Sequence, residues 1–173
     1  MKILIAEDET DVLSLYRGAL ERRGHAVVLA RDGEEALKAF EDSLMQKDSK
    51  SGKTSASNFD VVVLDYKMPK KDGMEVAESI LKVIPRQRII FASAFVKDTL
   101  MESVKKLDRV VELIQKPFEL RTLVDTIEDT EVYEKLQKFN VNIEKIRGLN
   151  PSHHELVELV EHVSEIMKQK LPL

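Results

Sequence analysis

Four short apolar runs in this 173-residue chain are each followed by a group that can do chemistry. Ile3-Leu4-Ile5 leads into Glu7-Asp8-Glu9, and Val61-Val62-Val63-Leu64 leads into Asp65-Tyr66-Lys67-Met68-Pro69. Ile89-Ile90-Phe91-Ala92 leads into Ser93-Ala94-Phe95, and Val110 to Ile114 leads into Lys116-Pro117-Phe118. Asp8 and Asp65 offer hard oxygens for Mg²⁺, with Glu7 nearby; Mg²⁺ uses one or two carboxylates and keeps several waters. A carboxylate is also a nucleophile that can form an aspartyl phosphate. Asp65 is the best candidate because it directly ends the central run. Lys116 by charge and Ser93 by a hydrogen bond could bind phosphoryl oxygens, and a metal with a lysine would offset charge developing in phosphoryl transfer. Singly, an Asp after a strand is usually a turn residue and a Lys-Pro usually a loop. The signal is four such groups in order.

The elements that must position them follow from the runs themselves. Each run is too short for a helix and rich in β-branched residues. Ile3 to Ile5, Val61 to Leu64 and Ile89 to Ala92 are continuous, as in parallel strands buried on both faces. A fifth run, Ala26-Val27-Val28-Leu29, completes the strand set. Helical spacing lies between them. Val12, Leu15, Tyr16, Ala19 and Leu20 form one stripe before Gly24, and Ala36, Leu37 and Phe40 form another behind a cap at Asp32 or Gly33. Asp72 could cap a helix carrying Val76, Ala77, Ile80 and Leu81 that ends before Pro85. Residues 98–107 and 119–129 fit two more. Alternating β and α with short links predicts an α/β fold, a parallel sheet with helices on both faces, over residues 1–129. In such sheets sites form at the carboxyl ends of the strands, which would bring acid, acid, hydroxyl and ammonium to one edge.

Two segments break that rhythm. Residues 46–58 are polar and small, and read as a surface insertion between the second helix and third strand. Gly52-Lys53-Thr54 within it suggests a phosphate loop, but that motif needs a glycine at position 47, which is Lys, and a preceding strand. The tail, 130–173, carries Val132, Leu136, Phe139, Ile143 and Ile146 at heptad spacing, then a break at Gly148, Asn150 and Pro151. Leu156, Val160, Val163 and Met167 repeat the spacing beyond it. The tail therefore reads as a helical hairpin whose stripes pack on each other, on the α/β domain, or on a second copy.

Composition excludes several classes. The chain is 43% apolar and 34% charged, as a globular protein is. It has no cysteine, which excludes disulfides, thiolate metal sites and thiol catalysis and fits a cytoplasmic location. No run reaches the length of a membrane helix, and Glu7-Asp8 turn the N-terminus acidic too soon for a signal peptide. Net charge is −4. From Thr126 onward the chain has nine acidic against six basic residues, plus three histidines, so direct nucleic-acid binding is not expected. His153-His154-Glu155 looks superficially like a phosphoacceptor histidine, but position 158 is Glu and 159 is Leu. It reads instead as a polar first helical turn.

Together these motifs resemble the receiver domain of two-component response regulators. The match rests on Glu7-Asp8-Glu9, on Val61 to Pro69 with Asp72-Gly73, on Ser93-Ala94 and on Lys116-Pro117-Phe118, and covers residues 1 to about 128. The resemblance implies a flavodoxin-like sheet of order 2-1-3-4-5. It implies that Asp65 accepts a phosphoryl group from a histidine kinase or phosphotransfer protein. It implies that Glu7, Asp8, Asp65 and the backbone carbonyl of Lys67 surround Mg²⁺. Ser93 would swing toward the phosphoryl group, Lys116 would pair with it, and the Lys116–Pro117 bond would be cis. The implied function is a phosphorylation-controlled switch, with an unidentified downstream protein or a homodimer through the helical tail as output, and no membrane role.

The chain departs from the family pattern at the aromatic switch position three before the lysine, which is Leu113. Phe95, two after Ser93, could supply bulk instead and shield the phosphoryl group from water, or could simply pack between helices. An aspartate-nucleophile phosphatase needs a second acid at position 67, which is Lys. A flavin module would want a hydroxyl- and glycine-rich loop where Glu7 to Asp11 stands. A constitutive helical adaptor that uses the fold without phosphorylation would not need all four groups.

Overall fold

The computed structural model describes residues 1–45, 59–94, 111–130 and Glu158. Five strands and four helices lie in these segments. In chain order they are β1 (Lys2–Ala6), α1 (Thr10–Glu21), β2 (Ala26–Ala30), α2 (Gly33–Met45) and β3 (Val61–Leu64). Then come α3 (Gly73–Val83), β4 (Ile89–Ser93), β5 (Glu112–Gln115) and α4 (Leu120–Glu128). The insertion at 46–58, the helix expected over 98–107, Phe95 and nearly all of the tail lie outside the described residues. The chain divides into two units, residues 1–124 and 125–173.

The strands form one parallel sheet of order β2-β1-β3-β4-β5, a flavodoxin-like fold. Burial on both faces explains the continuous apolar runs: every residue of β3 and β4 is buried, and so are Ile3 to Ala6 of β1. Side chains alternate across a strand, so the two faces separate cleanly. Leu4, Ala6, Val62, Leu64, Ile89 and Phe91 join Ala36 and Phe40 of α2 and Val76, Ala77 and Ile80 of α3 in one core cluster. Ile3, Ile5, Val61, Val63 and Ile90 fall on the other face and are equally buried.

Two helix starts behave as their sequences predict. Asp72 accepts from the Glu75 N–H at 2.8 Å and Glu75 accepts from the Asp72 N–H at 3.0 Å, a capping box that starts α3. Asp32 accepts from the Glu35 N–H at 2.8 Å and caps α2. Two details differ from the sequence reading. Leu15 is 57% exposed and Leu13 is buried in its place; both fit helical spacing, and only the direction of α1 against its neighbours decides between them. Among the described residues the last strand leaves out Val111 and runs on past Ile114, because its pairing with β4 is Ile90↔Glu112 through Ser93↔Gln115.

Candidate functional site

Register delivers the chemistry to one edge. Ala6 pairs with Leu64 across β1 and β3, so Glu7-Asp8 and Asp65 leave the sheet side by side. Ser93 pairs with Gln115 across β4 and β5, so Ser93 and Lys116 do the same. Backbone bonds continue the ladder one step further: the Asp65 N–H donates to the Ala6 carbonyl at 2.9 Å and the Lys116 N–H to the Ser93 carbonyl at 2.9 Å. The Lys116–Pro117 peptide bond is cis.

The side chains converge. Carboxylate oxygens of Glu7, Asp8 and Asp65 all lie within 4.8 Å of one another, with Glu7 and Asp65 buried and Asp8 exposed. Lys116 Nζ lies 2.6 Å from Glu7 Oε2 and 3.6 Å from Asp65 Oδ1. The fully buried Ser93 hydroxyl hydrogen-bonds the Asp65 carboxylate. Burial pushes the Glu7 carboxyl above its ordinary range; Lys116 opposes this and the Asp65 charge adds to it. Asp65 is likewise raised, first by burial, against the pull of Lys116 and the Ser93 bond. Desolvation outweighs the ammonium at both acids, so the cluster is short of positive charge.

A divalent cation fits that shortage. Glu7 Oε1 is buried and has no hydrogen-bond partner among the described residues, and an oxygen left so is costly unless a cation or donor meets it. Hard carboxylate oxygens with an exposed member that leaves room for waters are a donor set suited to Mg²⁺.

Three features of the surroundings are not legible as motifs. Tyr16 of α1 stacks on Phe118, with ring centroids 5.9 Å apart and planes 18° apart. Burial first, then the charges of Glu7 and Asp65, raises the Tyr16 phenol well above its ordinary range. Gly73 packs its α-carbon against the acid edge: a Cβ there would lie 2.1 Å from the Asp65 carbonyl oxygen. Lys70, in the loop between β3 and α3, adopts a left-handed φ of 67°. Of the residues singled out from sequence, Leu113 is half-buried on β5 and Lys67 is exposed.

A parallel sheet of this order, with three carboxylates, a hydroxyl and an ammonium at its carboxyl edge, defines a receiver. Residues 3–128 match the family model of the response regulator receiver domain, and the chain belongs to that family. The chain is 37% identical over 90 residues to the alkaline phosphatase synthesis transcriptional regulatory protein PhoP of Bacillus subtilis, covering 52% of this chain and 30% of PhoP. It is 31% identical over 133 residues to the transcriptional regulatory protein CpxR of Escherichia coli, covering 73% of this chain and 47% of CpxR. The chain thus spans less than half the length of either regulator. Among solved structures, a response regulator receiver domain protein from Clostridium thermocellum superposes with a TM-score of 0.61 at 26% identity, covering 79% of this chain and 98% of that one. No helix among the described residues is long and apolar enough to cross a membrane.

Proposed function

We propose that this receiver takes a phosphoryl group onto Asp65 from the phosphohistidine of a histidine kinase or phosphotransfer protein, with Mg²⁺ at the acid cluster, and that the modification switches assembly or partner binding. The observation that carries the reading is the Glu7–Lys116–Asp65 contact set with Ser93 hydrogen-bonded to the Asp65 carboxylate. One Asp65 carboxylate oxygen attacks phosphorus as the phosphorus–nitrogen bond of the donor breaks. The electron pair stays on the imidazole nitrogen. Lys116 lies 3.6 Å from the acceptor and can follow the charge onto the phosphoryl oxygens. Ser93, already bonded to Asp65, is within reach to donate to one of them. Glu7, Asp8, Asp65 and the Lys67 carbonyl would hold Mg²⁺, which supplies further positive charge to the transferring group when bound.

An aspartyl phosphate adds roughly −1.5 to −2 charge, by analogy with other phosphoryl modifications. That charge biases a two-state element, and the segment 130–173, whose spacing reads as helical, is the candidate output, as a dimer contact or a surface for a downstream protein. Phe95 and Leu113 are the candidate switch positions. A cytoplasmic location suits exchange with a kinase.

The test is intact mass after incubation with an acyl phosphate and Mg²⁺. A single phosphoryl addition, absent from Asp65→Ala, is expected; an addition that survives in Asp65→Ala places the acceptor elsewhere. Light scattering with beryllofluoride and Mg²⁺ then reads the output. A mass change lost in Asp65→Ala assigns it to assembly, and no change assigns it to a separate partner.

A further inference from the structure

The loop of residues 66–72 joins β3 to α3 and carries the Lys67 carbonyl. It is held at two places. Next to the acceptor, the Gly73 N–H donates to the Tyr66 carbonyl at 2.8 Å, and the start of α3 approaches the Asp65 backbone too closely for any side chain at 73. In the middle of the loop the holding group is Lys70. Its Nζ lies 2.7 Å from Asp32 Oδ2 and 3.6 Å from Glu34 Oε2.

An exposed ion pair of this kind usually contributes little, and the Lys70 side chain is 51% exposed. Three observations set it apart. The Asp32 side chain is only 10% exposed, and its other oxygen is already committed to the Glu35 N–H as the cap of α2. The next residue, Gly33, meets the loop backbone to backbone: a Cβ there would lie 2.3 Å from the Lys71 carbonyl oxygen. Lys70 itself holds a left-handed φ of 67°, a conformation in which glycine would be at ease and a lysine persists only when its surroundings fix it. What lysine adds over glycine at this position is charge, and the charge is aimed at the cap of α2.

We infer that Lys70 is a positioning residue: its ion pair with Asp32 locks the β3–α3 loop onto the first turn of α2 and thereby sets where the Lys67 carbonyl stands at the acid cluster. The inference rests on the reading of that cluster as a Mg²⁺ site. It makes the N-terminus of α2 part of the support of the metal, although α2 contributes no ligand.

Mg²⁺ titration of the full chain by calorimetry separates this role from a simple field effect. Lys70→Gly removes a positive charge near the site, so the field alone would tighten Mg²⁺. Asp32→Asn removes a negative one, so the field alone would weaken it. A positioning pair weakens binding in both variants, by about three- to tenfold, at or below the usual cost of losing a ligand's supporting partner. The double variant should then bind no more weakly than either single one, and Lys70→Arg should stay near wild type. Both single variants should keep the fold, since glycine suits the left-handed position and asparagine keeps the cap; melting in chelator checks this. Binding in the wild type that is lost in Asp8→Asn but unchanged or tighter in Lys70→Gly overturns the inference alone. No Mg²⁺ binding in the wild type overturns the site reading and the inference with it.

Discussion

The Lys116 ammonium sits a full ångström closer to Glu7 Oε2, at 2.6 Å, than to Asp65 Oδ1, at 3.6 Å. The lysine is therefore paired with Glu7 more closely than with Asp65. Removing it leaves the buried Glu7 carboxylate with neither oxygen paired to a cation. Lys116→Met should lower stability at neutral pH by about 2 kcal/mol, less than for a fully buried pair because the lysine is partly exposed. The deficit should shrink on mild acidification, as Glu7 takes up a proton. Chemical denaturation at two pH values checks both statements, and a deficit that grows on acidification would contradict them.

The wild-type protein without metal should show the same direction of pH dependence. Glu7 and Asp65 are both raised above their ordinary values of 4.5 and 3.8, chiefly by burial. Between each ordinary value and the raised folded one, the folded state binds more protons than the unfolded chain, so stability falls as pH rises through that window. Melting temperature in chelator should therefore rise as pH is lowered from neutral toward about 5, before carboxylates held low begin to protonate. Asp32, held low by Lys70 and its cap bond, is one of these; its contribution is lost only at more acidic pH. The rise on acidification should be absent from a Glu7→Gln, Asp65→Asn double variant.

Gly73→Ala tests how tightly α3 is set against Asp65. The added Cβ would lie 2.1 Å from the Asp65 carbonyl oxygen and 3.2 Å from Tyr66 Cα, both backbone atoms with no flexible end to yield. The helix start or the acceptor strand end must move. A loss of about 1–3 kcal/mol is expected, in the range of overpacked sites, together with slower phosphoryl uptake. Uptake at the wild-type rate in a variant destabilised by that amount would mean that α3, not Asp65, absorbs the shift.

Much of the fold was legible because its strongest signals are local. Val61 to Leu64 and Ile89 to Ala92 could only be strands buried on both faces, and Asp72 with Glu75 three residues on is a helix start readable without a partner. The acid edge was legible because each of its groups directly follows such a run. What escaped depends on partners distant in sequence. Leu13 and Leu15 lie on nearly opposite sides of α1, each at helical spacing from a member of the stripe Tyr16, Ala19 and Leu20, and only the docking of α1 decides which is buried. Lys70 carries no mark of a left-handed φ, since that region is signalled by glycine, asparagine or aspartate and not by lysine. The direct Lys116–Glu7 contact spans 109 residues, and the Tyr16–Phe118 stack joins a helix to a loop at the far end of the domain.

The least readable feature is at the opposite end of the sheet. Arg88 and Glu112 are 5% and 7% exposed, joined by Nε to Oε2 at 2.7 Å and Nη2 to Oε1 at 2.9 Å. Glu112 is the one charged residue of the run Val110 to Ile114. In the fold it pairs with Ile90 at the start of β5, two residues along β4 from Arg88, and the bidentate bridge ties the edge strand to its neighbour. Arg88→Met alone should cost about 3–5 kcal/mol, because it strands a buried carboxylate. Arg88→Met with Glu112→Leu should recover most of that loss, since a buried ion pair replaced whole by apolar groups is often neutral. If the double variant is stable but no longer answers beryllofluoride, the bridge fixes the register of β5, and through it the place of Lys116, and does not merely hold the edge. If the double variant is as unstable as the single one, the remaining contacts of these two side chains, and not their mutual charge, secure the strand. Denaturation curves of the four proteins in the cycle, together with the beryllofluoride response of the double variant, decide between the two.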